Sequence, residues 1–420
     1  MTVSNEAGET FRQTTHPDAQ WFPKAGFGLF MHWGIHSVAG IQPSWAMIKN
    51  YGGDNADNSF HPPEKYYALA NQFNPQDYNP DKWMAAAKSA GFTYAVLTTK
   101  HHDGYTLWPS RHGIYGTRTH MNGRDLLEPY VKACRKFGLK LGFYFSPRDW
   151  SYPGFPIADV DFDYKKRDQH KLPSPGINRR NFEKFYSYTR GQMEELLTRY
   201  GKIDILWVDG VCWPGIEDPH TLETLRWVRS LQPGIVMNNR WDDKTGDFST
   251  PECRLPKGRP EGWWEACAIW NGHWGYNPGR PFVPNAWVLE NLVNCRMWGG
   301  NFLLNCGPSP EGTMPDGFYE RCAELSQWMA HSGESLIGAE PLPDASISNV
   351  PATRRGKRCY LHILAGHKGP AILRDVPRPA RASLLYSGKE IAIHWHGKSL
   401  EVSVPERKRS GLDDVIAIDC

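Results

Sequence analysis

No stretch of this chain approaches the roughly 18 consecutive apolar residues that a membrane-spanning helix requires, so no such helix is expected. An excess of one charge is missing too. The 48 Lys and Arg nearly balance the 45 Asp and Glu, leaving a net charge of +3 over 420 residues. No basic field points to nucleic acid or to a membrane surface. The segment from Met1 to Phe11 is polar and acidic without an apolar core, so no signal peptide is visible. A cytoplasmic location is expected, or a secreted or periplasmic one if a leader has been removed. The nine cysteines are odd in number and show no CxxC spacing. That excludes a fully paired disulfide framework and offers no zinc-type ligand pattern. Buried free thiols in a reducing compartment account for them most simply.

What is abundant is aromatic: 18 Trp, 18 Tyr and 18 Phe. Such a set can fill a core or wall a site for a ligand with apolar faces, sugars being the obvious case. Composition alone leaves both readings open. From about residue 20 to 335, short apolar runs alternate with helical patterns. Strands are predicted at Phe27–Met31, Tyr94–Thr98, Leu139–Tyr144, Ile203–Val208, Ile235–Asn238, Ala266–Ile269 and Phe302–Asn305. Helices are predicted at Asp81–Ser89, Leu126–Phe137, Phe182–Tyr200, Leu222–Leu231 and Phe318–His331. Alternation of this kind implies parallel βα units, and seven or eight of them imply a closed (β/α)8-like TIM barrel. A doubly wound sheet would usually bring a glycine-rich phosphate turn, and none is present. Beyond Ser335 short β-rich runs separated by Gly and Pro predict a small antiparallel β-sandwich over 336–420. Residues 1–19 are read as an N-terminal arm. Two long loops, Ser44–Pro63 and Ser151–Arg180, follow barrel strands and can reach the same face.

That face is where such barrels place their chemistry. The run Ile205-Leu206-Trp207-Val208 ends in Asp209, a carboxylate at the carboxyl end of a strand buried on both faces. The other strand ends supply His32 and Trp33, then Lys100 to Asp103 with His101 and His102, then Tyr144 and Ser146, then Asn238 to Trp241 with Arg240. Glu252, Glu265 and Trp274 come later. A single polar strand end is usually a satisfied structural group; six strands ending this way are harder to explain structurally. His32, His101, His102 and Asp103 could in principle hold a metal, but adjacent His101 and His102 would point to opposite faces of a regular strand. A metal is therefore the lesser reading, and neutral imidazoles donating to sugar hydroxyls fit better. Two carboxylates among aromatic walls suggest glycoside hydrolysis. Asp209 is the nucleophile candidate, kept ionised by Arg240. Glu252 is the favoured acid/base candidate and Glu265 the alternative. Asp204 is read as a surface or barrel-bottom residue.

The segments Phe27–Gly34, Leu97–Gly104, Leu206–Gly210 and Gly299–Asn305 resemble the α-L-fucosidases of glycoside hydrolase family 29, in that family's order. The resemblance implies a barrel with a C-terminal β-sandwich and a retaining mechanism on α-L-fucosides without metal or cofactor. Its nucleophile position falls on Asp209, and its sugar-binding positions fall on His32, His101, His102, Tyr144 and Arg240. Trp33, Trp45 and Trp207 lie in or beside the same segments. Trp274 matches an aromatic that packs on the C6 methyl of fucose. The acid/base matches Glu252 in one common placement and Glu265 in another. The implied partner is a fucosylated oligosaccharide or glycoconjugate, with neither nucleic acid nor membrane, and a homo-oligomer is left open. One departure stands out: where many members carry Glu before the Trp of the first loop, this chain has Ser44 before Trp45. A neutral hydroxyl makes no charge-assisted bond. Glu64, Asp54 or Asp57 could compensate. Otherwise the sugar could be related to fucose, such as an L-galactoside, or the chain could be a catalytically weak carbohydrate-binding relative.

Overall fold

A computed structural model describes residues 12–49, 60–155, 162–163, 175–210, 220–242, 244–378 and 381–419. Eight strands form its centre: β1 (Phe27–Met31), β2 (Tyr94–Lys100), β3 (Lys140–Phe145), β4 (Ile205–Val208), β5 (Val236–Met237), β6 (Phe248–Ser249), β7 (Trp263–Ile269) and β8 (Asn301–Asn305). They make one parallel sheet in the order β5-β4-β3-β2-β1-β8-β7-β6. A parallel bridge between Asn238 and Phe248 joins its two edges. The strands are apolar runs because both faces are covered; all seven residues of β2 are buried. One face turns into the barrel, where Phe30, Tyr94, Val96, Tyr144, Ile205, Trp207, Cys267 and Leu303 pack together. Gly28 leaves room there, since a Cβ at that position would lie 2.2 Å from the Tyr94 ring.

The other face meets the helices. The helix Leu127–Lys136 buries Leu127, Tyr130, Val131 and Cys134, the i, i+3, i+4, i+7 stripe of an amphipathic helix. Its Tyr130 hydroxyl donates to Ala95 O at 2.8 Å, locking it onto β2. Truncating Leu127 to Ala should cost roughly 2–5 kcal/mol.

The C-terminal strands are β9 (Glu340–Pro341), β10 (Ala352–Arg355), β11 (Arg358–Leu364), β12 (Ala371–Leu373), β13 (Arg381–Leu384), β14 (His394–His396), β15 (Ser399–Val402) and β16 (Asp413–Asp419). They form antiparallel sheets ordered β13-β16-β11-β10-β9 and β12-β15-β14. Leu361, Ile363, Leu373, Leu400, Val402, Ile416 and Ile418 fill the space between. This is the expected barrel and β-sandwich. Trp328 Nε1 of the last barrel helix donates to Asp413 O of β16 at 2.7 Å. Fully buried Arg296 donates to the carbonyls of Pro23, Gly300, Leu336 and Ala339.

Several barrel elements differ from expectation, among them a helix that begins at Pro175, inside the expected loop Ser151–Arg180. The sixth strand has only two residues, too short for any alternation to register. A helix at Asn285–Met297 was not predicted. It packs against β8 on one side and β9, β10, β11 and β16 on the other, so it lacks the one-sided pattern of a surface helix. Among the described residues no helix is long and apolar enough to cross a membrane. The seven described cysteines lie outside any disulfide, five of them buried and Cys253 exposed.

Candidate active site

Asp209 immediately follows β4, and its backbone N–H donates to Phe145 O at the end of β3. Its side chain is one-fifth exposed at the carboxyl-terminal mouth of the barrel. Tyr144 O–H donates to Oδ2 at 2.7 Å and Arg240 Nη1 donates to Oδ1 at 3.2 Å. His102 Nε2 lies 3.8 Å from Oδ2. Burial pushes the carboxyl up, but Arg240, His102, the Tyr144 bond and Arg148 outweigh it, so the net shift is below the ordinary carboxylate value. The turn after it needs glycine. Gly210 has φ +88°, and a Cβ there would sit 2.6 Å from Arg148 Nε.

Arg240 organises a second carboxylate. Its Nη2 contacts Glu252 Oε2 at 2.7 Å. Its Nε donates to Thr250 Oγ1 at 2.7 Å, and its guanidinium carbon lies 4.7 Å above the Trp207 ring centre. Glu252 reaches it because the strand-like pairing of Glu252 with Cys267 lays the loop beside β7. The Glu252 side chain is 36% exposed, open to an incoming group.

Glu265 lies elsewhere. It belongs to the first half of β7 and is fully buried. Tyr94 O–H donates to its Oε2 at 2.5 Å and Trp207 Nε1 donates to its Oε1 at 2.9 Å. Burial pushes its pKa up to about 7 against the two hydrogen bonds and Arg240. A raised pKa suits a general acid, but this carboxyl is sealed inside the barrel with both oxygens engaged. Trp207 is 1% exposed. It lies beneath Arg240 and Tyr144, stacked on both.

The imidazoles ring the nucleophile candidate. His32 Nδ1 bonds Asn305 Oδ1 at 2.7 Å, and His102 Nδ1 bonds Ser146 Oγ at 2.6 Å. His101 stacks flat on Tyr144 at 5.5 Å. Burial lowers the pKa of His32 to about 4 and of His102 to about 3, and that of His101 well below the usual value. All three are neutral near pH 7. The expectation that His101 and His102 face opposite ways fails. The strand β2 ends at Lys100, after a register shift from Thr98, and the two rings come to 4.2 Å. Lys100 turns outward, bonding Gln192 Oε1 at 2.8 Å and meeting Asp149 at 3.6 Å.

Trp274 packs on His32 at 5.1 Å, and Trp45 meets His102 and Trp150 edge-on at 5.5 and 5.3 Å. Trp33 does not join them. Its indole N–H donates to Ser309 O at 2.8 Å, and its ring packs on Phe73, Tyr78 and Trp83, so it is core. Asp204 caps the barrel bottom, accepting from Leu141 N and Lys140. Two residues went unsingled in the sequence. Asn305 holds both His32 and, through Nδ2, Trp274 O at 2.7 Å; its place at the carboxyl end of β8 was the available signal. Trp150 follows β3 in the same way. Glu64 is exposed on its helix, and Asp54 and Asp57 lie outside the described residues.

His101, His102 and Asp209 bring one ligand atom each within 4.8 Å of one another, the one such group among the described residues. Zinc-type sites take three or four ligands, but here the Arg240 guanidinium already occupies Asp209 Oδ1. A dication would sit against that fixed positive charge, so the donor set fits a metal poorly. The arrangement fits a neutral polyol better: hydroxyls meet imidazoles, a tyrosine and an arginine, with an ionised carboxylate at the centre.

Known proteins share this fold. The family profile described as Alpha-L-fucosidase matches residues 4–334. This chain belongs to the α-L-fucosidase family. It is a glycoside hydrolase of that type. The bovine tissue α-L-fucosidase is 30% identical over 83% of this chain and 75% of its own length, and the rat tissue enzyme is 27% identical over 92% and 85%. Among solved structures, α-L-fucosidase isoenzyme 1 from Paenibacillus thiaminolyticus superposes with a TM-score of 0.81 at 32% identity, covering 96% of this chain and 98% of that one. A family 29 α-L-fucosidase from Bacteroides thetaiotaomicron gives 0.83 at 25% identity, covering 100% and 97%. A mutant from that organism has been trapped as a covalent intermediate with 2-fluoro-fucosyl fluoride.

Proposed function

We propose that the chain is a retaining exo-α-L-fucosidase that works by double displacement, acting on fucosylated oligosaccharides or glycoconjugates. The observation that carries this reading is one guanidinium, Arg240, gripping Asp209 with one nitrogen and Glu252 with the other. From those contacts and the width of a guanidinium, the two carboxylates are no more than ~8 Å apart. That bound admits both the ~5–5.5 Å of a retaining pair and the lower part of the ~6.5–9.5 Å of an inverting one; the retaining course rests on the family. Asp209, ionised and fixed on a strand end, attacks the anomeric carbon. Glu252, the more exposed of the pair, leaves its Arg240 contact, takes up a proton from solvent and delivers it to the glycosidic oxygen as that oxygen's bond to the anomeric carbon breaks; it then takes a proton from the water that displaces Asp209. Glu265 has no route to a leaving group from inside the barrel.

The neutral imidazoles suit sugar hydroxyls, since each ring nitrogen can donate or accept without introducing a charge. His32 Nδ1 and His102 Nδ1 are fixed by Asn305 and Ser146, which aims their Nε2 atoms away from those partners. Trp274, packed on His32, supplies an apolar patch for a deoxygenated carbon.

A panel of aryl α-L-fucosides, α-L-galactosides and other α-glycosides, assayed with and without EDTA, tests this. Turnover of the fucoside, insensitive to chelation and first releasing the α-anomer by NMR, is expected. Release of the β-anomer, or cleavage of another sugar in preference, would overturn it.

A further inference from the structure

Ser44 was noted in the sequence for the carboxylate it replaces, but its position in the fold shows a different task. It is fully buried and sits at φ +54°, ψ −48°, in the left-handed region that side chains avoid. Trp45 N donates back to Pro43 O at 2.5 Å, which makes Ser44 the centre of a strained γ-turn. Such strain persists where the surroundings over-determine it, and it clusters at functional sites.

Here the surroundings are polar and fully connected. Ser44 N donates to Tyr66 Oη at 2.8 Å, and Tyr66 O–H donates to Asp103 Oδ2 at 2.6 Å. Asp103 Oδ1 accepts from Tyr105 N at 2.9 Å, and Asp103 N donates to Ser44 Oγ at 2.8 Å. Ser44 Oγ lies 2.6 Å from His101 Nδ1.

The proton count follows from these contacts. Ser44 Oγ already accepts the Asp103 N–H. Its hydroxyl proton can go to the Asp103 carboxylate, whose oxygens already accept from Tyr66 and Tyr105, or to His101 Nδ1, 2.6 Å away; the short contact favours the imidazole. We propose that Ser44 is a positioning residue that donates to His101 Nδ1, fixing the tautomer in which Nε2 carries the proton. His101 thereby presents a hydrogen-bond donor beside Asp209 and Tyr144, held flat on the Tyr144 ring. The strained turn is what carries the hydroxyl to that nitrogen. The contribution to substrate turnover rests on the function proposed above, whereas the tautomer is a property of the free enzyme.

The test is NMR of ring nitrogens in enzyme labelled at histidine, with His101→Asn identifying the His101 signals, alongside kinetics and melting of Ser44→Gly and Ser44→Ala. In wild type, His101 should show a protonated Nε2 and an unprotonated Nδ1. Gly is at home at this φ, so Ser44→Gly should fold and melt within a few degrees of wild type. It should nonetheless mix His101 tautomers and lose about 10- to 100-fold in kcat/KM. A proton on His101 Nδ1 in wild type would overturn the proposal. So would wild-type kcat/KM in Ser44→Gly, or lost activity with the tautomer unchanged. If wild type cleaves no fucoside, the substrate reading fails while the nitrogen pattern still decides this one.

Discussion

Replacing Glu265 with Gln separates a buried structural acid from a catalytic one, and the structure sets its magnitude. The carboxyl has no exposed atom and its pKa is pushed up to about 7 by burial, from an ordinary value of 4.5. Between those values the folded protein holds a proton that the unfolded chain has released. Folding stability therefore falls as pH rises through this window, and the loss is complete once pH exceeds the folded value. At about 1.4 kcal/mol per pH unit, the interval corresponds to about 3 kcal/mol. Gln keeps the shape, can accept from Trp207 Nε1 and can donate to Tyr94 Oη, but carries no charge to desolvate. Urea unfolding of wild type and Glu265→Gln at pH 5, 6, 7 and 8 should show wild type losing about 2–3 kcal/mol that the variant does not lose. The variant should also keep its activity on aryl glycosides with poor leaving groups. Parallel stability curves would refute the buried-acid reasoning. A collapse of turnover confined to poor leaving groups would make Glu265 the acid/base.

Glu252→Ala should give the opposite pattern: turnover of poor leaving groups falling by about 10²–10⁴, activated aryl leaving groups much less affected, and little change in unfolding. Asn305→Ala removes the partner of both His32 and Trp274. We expect a loss of about 1–3 kcal/mol in stability together with lower kcat/KM, read by melting and steady-state kinetics. Because Asp209 is held below the ordinary carboxylate value, it stays ionised as pH falls to that value. The acidic limb of kcat/KM should accordingly lie lower than an unperturbed carboxylate would give, and Arg240→Leu should move it upward.

Strands buried on both faces were readable because their sequences are unbroken apolar runs, and β1, β2, β3, β4 and β8 emerge close to their predicted bounds. The carboxylate at the end of β4 was readable for the same reason. Facing was less legible. Trp33 stands in the right segment, yet it turns into the outer core. A segment does not state which way its side chains point once a strand ends. The rule of alternating faces failed at His101 and His102 because β2 stops one residue before them. Ser44 shows the deeper limit: its hydrogen bonds come from residues 22 to 59 positions away, contacts that only the folded chain makes.

The most direct test of Asp209 as nucleophile is covalent trapping. Wild-type enzyme incubated with 2-fluoro-fucosyl fluoride, digested with protease and sequenced by mass spectrometry should carry one 2-fluorofucosyl group, on the carboxylate of Asp209. A label on any other residue, Glu252 or Glu265 included, or turnover of fucosides with no trapped species, would contradict the account.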